Sequence, residues 1–175
     1  MSTKVITGKG LASYVSVVNP KSVNGSEPKY SLSFIFPKSD KTTLDKINKA
    51  IETAKKEGVS KLGGKIPANL KTPIRDGDVD RPEDEAYADS YFINANSKVK
   101  PGVVDKDLQP ILDATEFYSG CYCRVSVVFY AYNANGNKGI ACGLQNIQKL
   151  EDGEPLGGKP KAEDDFTAVE DDFLS

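Results

Sequence analysis

The sequence has 175 residues and a formal net charge of −2, and its 38% hydrophobic and 27% charged residues are typical of one globular domain. The absence of histidine excludes Ser-His and Cys-His nucleophile pairs and every zinc site that needs imidazole. No apolar run approaches the roughly 18 residues that span a bilayer, and no apolar signal core follows Met1, so we expect no membrane contact and a cytoplasmic location, in a cell or an infected cell.

The first elements are two strands. Residues 4–18 are rich in β-branched and small side chains and predict a long strand, in which Gly8 and Gly10 mark a bulge or a close backbone approach. Asn19-Pro20 is expected to end it. Residues 29–36 then alternate between apolar and polar side chains, which predicts a strand with one buried face. That face consists of Tyr30, Leu32, Phe34 and Phe36.

One amphipathic helix follows the second strand. Apolar side chains recur at spacings of three and four between Ser39-Asp40, which can cap the start of a helix, and Gly58, which suits its end. The apolar stripe consists of Leu44, Ile47, Ile51 and Ala54.

Residues 59–88 lack periodicity and predict a long loop, which in a compact domain is usually functional or mobile. Its cations Lys65, Arg75 and Arg81 are candidates to close over a bound nucleic-acid strand, and a solvated loop is the alternative. Carboxylates in the same loop could hold Mg²⁺, but their spacing fails the calcium-loop pattern, so we expect no metal, no cofactor and no catalytic residue. This acidic cluster consists of Asp76, Asp78, Asp80, Glu83, Asp84 and Glu85.

Residues 90–97 predict another strand. One face carries Tyr91, Ile93 and Ala95, and the other carries an aromatic ring, two amides and a lysine. That second face suits part of a binding groove. The alternative is that its aromatic ring, Phe92, is a second buried aromatic side chain. Its candidate binding residues are Phe92, Asn94 and Lys98.

The clearest strand covers residues 118–132, and Asn135-Gly136 predicts a tight turn that leads into a pairing strand over residues 138–150. The core face of the first of these strands, residues 118–132, holds Cys123, Val125, Val127, Phe129 and Ala131. Its other face holds the binding candidates Tyr122, Arg124, Tyr130 and Tyr132. Exposed aromatic rings stack on any base, and arginine pairs with phosphate, so this face predicts single-strand binding. The alternative is that these rings pack under the helix or the long loop.

The three cysteines do not form a metal knuckle. Cys121 and Cys123 are two residues apart in an apparent strand, and we expect them and Cys142 to be small buried side chains. Their odd number, without an export signal, argues against a disulfide framework.

The charge is divided along the chain. Residues 151–175 hold nine acidic and two basic side chains and carry −7, whereas residues 1–150 hold 16 acidic and 21 basic side chains and carry +5. This division predicts a polyanion-binding body, residues 1–150, and a Gly/Pro-rich flexible linker with an acidic tail, residues 151–175; a solubilising tail is the alternative. The tail repeats Glu-Asp-Asp-Phe at 163–166 and 170–173. Its candidate interaction residues are Asp165, Phe166, Asp171, Asp172 and Phe173.

About five strands and one helix in 150 residues exclude a doubly wound parallel sheet, which needs alternating helices. An antiparallel barrel or sandwich remains. A mainly β protein with an OB fold fits the pattern: a five-stranded antiparallel Greek-key barrel with one amphipathic helix and a long loop, followed by a disordered acidic tail.

Distinctive segments lie at residues 29–41, 63–67, 75–78, 100–105, 118–121, 137–158 and 162–166. Together they resemble one family, the bacteriophage OB-fold single-stranded DNA-binding proteins. The resemblance implies an OB fold, DNA binding without base specificity, service in phage replication or recombination, and no enzymatic activity. The tail is also similar to those of other replication single-strand binders, which implies that it recruits phage or host replication proteins.

Other interpretations stay open. One is a metal-dependent phage nuclease that uses the acidic side chains from Asp76 to Asp84. The other is a non-catalytic assembly protein whose aromatic face is a protein interface. The sequence also leaves open whether the protein forms a homodimer.

Overall fold

The computed structural model describes residues 3–21, 28–68, 70–113 and 115–156. Within these ranges lie eight strands, two helices and one 3₁₀ turn, Glu85–Tyr87. The helices are α1 (Lys41–Glu57) and α2 (Gly77–Asp80). The strands are β1 (Lys4–Ile6), β2 (Gly10–Lys21), β3 (Lys29–Pro37), β4 (Ile74–Asp76), β5 (Ser90–Ser97), β6 (Gly102–Val104), β7 (Tyr122–Ala134) and β8 (Asn137–Glu151).

Five strands close into a barrel in the order β2-β3-β5-β8-β7, with β7 returning to β2. This is the connectivity expected of an OB fold. Four of the five pairs are antiparallel, and β5 and β8 pair in parallel at Asn96 and Gly143. A closed ring with an odd number of strands cannot alternate direction throughout, so at least one pair must run in parallel.

The predicted first strand is two strands. β1 and β2 are separated at Thr7–Lys9, and β2 continues beyond Pro20 to Lys21, which pairs with Lys29. Pro20 does not end the strand because a register shift lies between Ser16 and Lys21. The close approach expected at Gly10 is confirmed, since a Cβ there would lie 2.4 Å from Cζ of Phe34.

Helix α1 packs on β7 and begins where the sequence predicts. The Asp40 carboxylate accepts from the Thr43 backbone N–H at 3.1 Å. Gly58 follows the helix, and a Cβ there would lie 2.3 Å from that of Ala131, so the helix and β7 meet closely at this point. The apolar stripe is confirmed, with Ile47, Ile51 and Ala54 buried in the main core.

The barrel interior is filled by alternate residues of the long strands. Leu32, Phe34 and Phe36 of β3 are buried with the predicted core face of β7, Cys123 to Ala131. All three cysteines are buried, as expected, and burial raises the pKa of each thiol above its usual range. They are therefore neutral at physiological pH and unreactive.

A second, smaller apolar cluster covers part of the barrel's outer surface. The residues expected to be one long loop contain β4, α2 and the 3₁₀ turn, which fold back over β3 and β5. The Tyr87 ring meets that of Phe92 edge-on at 4.8 Å, and its hydroxyl bonds to the Ser33 hydroxyl at 3.1 Å. Ile35 is buried with them, so both faces of β3 are covered here and the expectation of one buried face is wrong for this half of the strand.

In the described part of the chain, no helix is long and apolar enough to cross a membrane.

Candidate nucleic-acid interface

Short polar side chains line a band across the outer surface of the barrel. Ser33 of β3 pairs with Ser13 on one side and Asn94 on the other, so the three lie in one row. The next row continues through Asn96 to Gly143 of β8. Asn94 and Asn96 are exposed. We call this surface the outer band. Its open part is formed by Asn94 and Asn96, because Ser13 and Ser33 are buried and the Ser33 hydroxyl bonds to that of Tyr87.

Tyr14 and Arg81 stand at one end of the outer band. Tyr14 lies in the irregular stretch of β2 between Ser13 and Ser16, has a positive φ of 48° and is 59% exposed. The Arg81 guanidinium carbon lies 5.4 Å from the centre of the Tyr14 ring. It also lies 5.7 Å from the ring of Tyr87, so a cation sits above aromatic side chains. This end therefore offers an exposed ring beside a positive charge.

Tyr130 stands at the other end, on β7. It is 45% exposed, and its ring lies against Gly143, where an added Cβ would lie 3.4 Å from Cε1 of the ring. The glycine lets the ring lie close to the sheet beside the Asn96 row. An open groove of about 400 Å³ adjoins it, lined also by Ser97 and Lys100.

Two of the candidate loop cations lie close to the outer band. Arg75 on β4 is opposite Phe92, is exposed and has Asp80 at 3.8 Å. Arg81 is the cation already described above Tyr14. The third, Lys65, is exposed near the β7–β8 turn, where the adjoining Lys61 carbonyl accepts from the Asn133 side chain at 3.1 Å.

The candidate face of β5 is only partly open. Asn94 and, just past the strand, Lys98 are exposed. The expectation of an exposed Phe92 ring is wrong, because Tyr87 covers it and leaves it 2% exposed. The Phe92 ring instead lies beneath Arg81, whose guanidinium carbon is 5.9 Å from the centre of the ring.

The alternation predicted for β7 is confirmed, but its outward side chains do not form one patch. Tyr122 is about 27 Å along the strand from Tyr130 at roughly 3.4 Å per residue. Its ring lies 4.9 Å from the Lys9 ammonium. Arg124 donates from Nε to the Gln148 side-chain oxygen at 2.6 Å. Tyr132 is half-buried, so among these tyrosines only Tyr130 is an open ring.

Several carboxylates of the acidic cluster bind other groups of the protein. The Lys38 ammonium lies 2.9 Å from Asp76 and 2.8 Å from Asp78. The hydrogen bond from Lys38 is the main reason that the pKa of Asp78 lies below its usual range. Asp84 caps the Ala86 amide at 3.1 Å. No group of three or more Asp, Glu, Cys or His side chains within the described ranges could hold a metal ion, so the geometry does not favour the nuclease interpretation.

Sequence reasoning missed Tyr14 and Tyr87. The position of the Tyr14 side chain depends on an irregularity in β2, and that of Tyr87 on a segment without periodicity. Neither residue therefore belongs to a repeating pattern. The tail candidates Asp165, Phe166, Asp171, Asp172 and Phe173 lie outside the described residues.

The described chain ends beside the outer band. The Leu156 backbone N–H donates to the Ser119 carbonyl at 2.9 Å. The Ser119 hydroxyl in turn accepts from the Val15 N–H at 3.1 Å, next to Tyr14. The tail therefore leaves the body close to the Tyr14–Arg81 end.

Comparisons with known proteins place the chain among phage proteins. A family model described as "Enterobacter phage Enc34, ssDNA-binding protein" matches residues 3–174. "Putative protein p50" of Acyrthosiphon pisum secondary endosymbiont phage 1 is 30% identical over 173 residues, 92% of each chain. The single-stranded DNA-binding protein from bacteriophage Enc34, solved in complex with ssDNA, superposes with a TM-score of 0.81 at 26% identity, covering 89% of this chain and 90% of that one.

A more distant structure shares the fold. Gp2.5, a single-stranded DNA-binding protein encoded by bacteriophage T7, has a TM-score of 0.64 at 16% identity, covering 98% of this chain and 97% of that one.

Proposed function

Because the chain belongs to the family of the Enterobacter phage Enc34 ssDNA-binding protein, we propose that it binds single-stranded DNA along the outer band, without base preference. It is a phage single-stranded DNA-binding protein and not an enzyme. In an OB fold the face of the second and third barrel strands, here β3 and β5, and the adjoining loops are the usual binding surface.

The observation that carries this proposal is the placement of exposed rings at both ends of the outer band. Tyr14 beside Arg81 and Tyr130 above Gly143 are separated by short polar side chains. Every base has a π-face, so such rings bind single strands with little regard to sequence. Arg81, Arg75 and Lys98 supply positive charge for the phosphates.

A titration with fluorescent oligo-dT, oligo-dA and a matched duplex tests the proposal. We expect similar affinities for both single strands, because stacking does not read base edges. No binding to any oligonucleotide at low salt would contradict it and would favour the alternative of a protein interface.

The salt dependence of binding follows from the charges of the outer band. Releasing counterions from Z phosphates gives a log–log slope near −0.7Z, so three to five contacts predict a slope of about −2 to −4. Arg81→Ala should reduce the magnitude of the slope by about one unit if Arg81 contacts phosphate. Oligo-dT titrations at several salt concentrations measure this, and a slope near zero for the unaltered protein would refute an electrostatic contribution.

The wider role is in phage replication or recombination, in the cytoplasm of the infected host. Covering exposed single strands would protect them. Residues 157–175 would recruit phage or host replication proteins, because they carry phenylalanine within acid at Phe166 and Phe173. Residues 1–150 would thus bind DNA, and residues 151–175 would form the linker and interaction tail.

Deleting residues 161–175 is expected to tighten oligo-dT binding, most clearly at low salt. This segment holds six acidic side chains and one lysine, and the described chain ends beside Tyr14. A tethered segment has a local concentration on the order of millimolar, so weak attraction suffices to occlude the site part of the time.

The tail effect should fade as salt rises, because exposed charges are screened within about 10 Å at 0.1 M. Titrating full-length and shortened protein at two salt concentrations tests this. Equal affinities at low salt would show that the tail does not compete with DNA.

A further inference from the structure

A groove between β1 and α1 lies apart from the outer band and shares no residue with it. Its volume is about 510 Å³, within the roughly 300–1,000 Å³ of ordinary ligand pockets. Its floor is formed by Val5, Ile6 and Ala50, and three lysines belong to its lining. We call it the lysine groove; its lysines are Lys4, Lys46 and Lys49.

The lysine groove combines exposed apolar surface with charge of one sign. Ile6 is 53% exposed, although its neighbour Val5 is buried. The Lys46 ammonium lies 3.5 Å from the Ile6 carbonyl, at the edge of that apolar surface. No acidic side chain is among the lining residues that the structure describes. An occupant should therefore present an apolar group surrounded by carboxylates.

The tail of this chain has that chemistry. Glu170, Asp171 and Asp172 directly precede Phe173, and Leu174 follows it. We propose that residues 170–173 dock in the lysine groove, with the Phe173 ring on the apolar floor and the carboxylates at the lysines. A phenylalanine side chain can bury roughly 150–250 Å², so the ring would cover much of the exposed Ile6 surface.

The length of the tail favours the second repeat. Leu156 bonds to Ser119, and Ile6 pairs with Ser126, so the path along residues 119–126 limits the distance from Leu156 to Ile6 to roughly 35 Å. An extended chain from Leu156 reaches about 46–50 Å at Glu170 but only about 23–25 Å at Glu163. The second repeat thus reaches the groove with slack even at this upper limit, whereas the acidic residues of the first repeat would reach it only over a shorter path.

Docking of this kind goes beyond single-strand binding, because it gives the acidic tail a site on its own body that DNA does not occupy. A tail held in the lysine groove hides Phe173 from other proteins, and a partner must displace it.

Zero-length carbodiimide cross-linking of the full chain tests the proposal, since it joins carboxylates only to lysines in contact. Trypsin releases residues 162–175 as one peptide, because no Lys or Arg follows Lys161. Tandem mass spectrometry should place the cross-links between residues 170–172 and Lys4, Lys46 or Lys49, within a single chain. Saturating oligo-dT should leave them unchanged.

Two matched variants show whether the ring positions the tail. Phe173→Ala removes the docking group but no cross-linkable one, and it should lower the yield about tenfold through lost apolar burial. Phe166→Ala, the control, should leave the yield unchanged. Equal cross-linking to Lys56 on another part of α1, or cross-links only between two chains, would overturn the proposal.

Loss of the cross-links on adding oligo-dT would also overturn it, because the tail would then lie on the outer band. The oligo-dT titration of the same samples reports DNA binding separately. A failure of groove docking is therefore distinguishable from a failure of the proposed function.

Discussion

Replacing both Tyr14 and Tyr130 by alanine is expected to weaken oligo-dT binding by about 2–6 kcal/mol. Each stacked base contributes roughly 1–3 kcal/mol by alanine substitution, and the two rings lie at opposite ends of the outer band. Because they share no partner, their effects should add to within about 0.5 kcal/mol. Fluorescence titration of both single variants and the double variant measures the loss.

Two other tyrosines of β7 serve as matched controls. Tyr122 contacts Lys9 and lies far along the strand, and Tyr132 lies over Gly139, where an added Cβ would approach its hydroxyl to 2.6 Å. Their alanine variants should change the affinity less than either Tyr14→Ala or Tyr130→Ala. Urea denaturation of each variant checks that the fold is intact. Equal losses from all four changes would refute the assignment of the outer band.

Replacing Tyr87 by alanine is expected to lower the free energy of unfolding by about 3–5 kcal/mol, the usual cost of removing a buried aromatic side chain. Tyr87 is fully buried between Phe92 and Ile35. The change would also uncover Phe92, which it now covers, and remove one of the rings beneath Arg81. Urea denaturation monitored by circular dichroism measures the loss.

Tyr87→Phe separates the hydroxyl from the ring. It keeps the packing against Phe92 but leaves the buried Ser33 hydroxyl without its partner, which costs about 1–3 kcal/mol. The phenylalanine variant should therefore lie between the unaltered protein and Tyr87→Ala. A loss below about 1 kcal/mol for Tyr87→Ala would show that the segment of residues 77–89 contributes little to stability, against the usual cost of such a change.

Features that depend on local periodicity could be predicted from the sequence. Helix α1 was predictable because its apolar spacing, the Asp40 cap and Gly58 all lie within 19 residues. The turn at Asn135-Gly136 was predictable because both residues adopt positive φ, 53° and 88°, which Asn and Gly tolerate best. The buried face of β7 followed from simple alternation.

Features that depend on distant contacts could not be predicted. The burial of Phe92 requires Tyr87, whose own segment shows no pattern. The exposure of Tyr14 depends on a register shift against β3. The predicted set on β7 assumed that outward side chains of one strand form one surface, but a strand of 13 residues is too long for its two ends to meet one ligand site. Tyr130 instead lies beside residues of β5 and β8.

The parallel contact between β5 and β8 is the barrel seam with the shortest ladder of paired residues. One residue pair, Asn96 and Gly143, joins these strands in register, whereas two pairs join β2 to β7 and longer ladders join the others. Segments with few ladder contacts open most readily in local unfolding. A DNA strand that follows the outer band would cross this seam, contact both β5 and β8, and so hold the two strands together. By mass action, bound DNA would then lower the population of molecules in which β5 and β8 have separated. The ligand would thus stabilise the barrel at the contact that it covers.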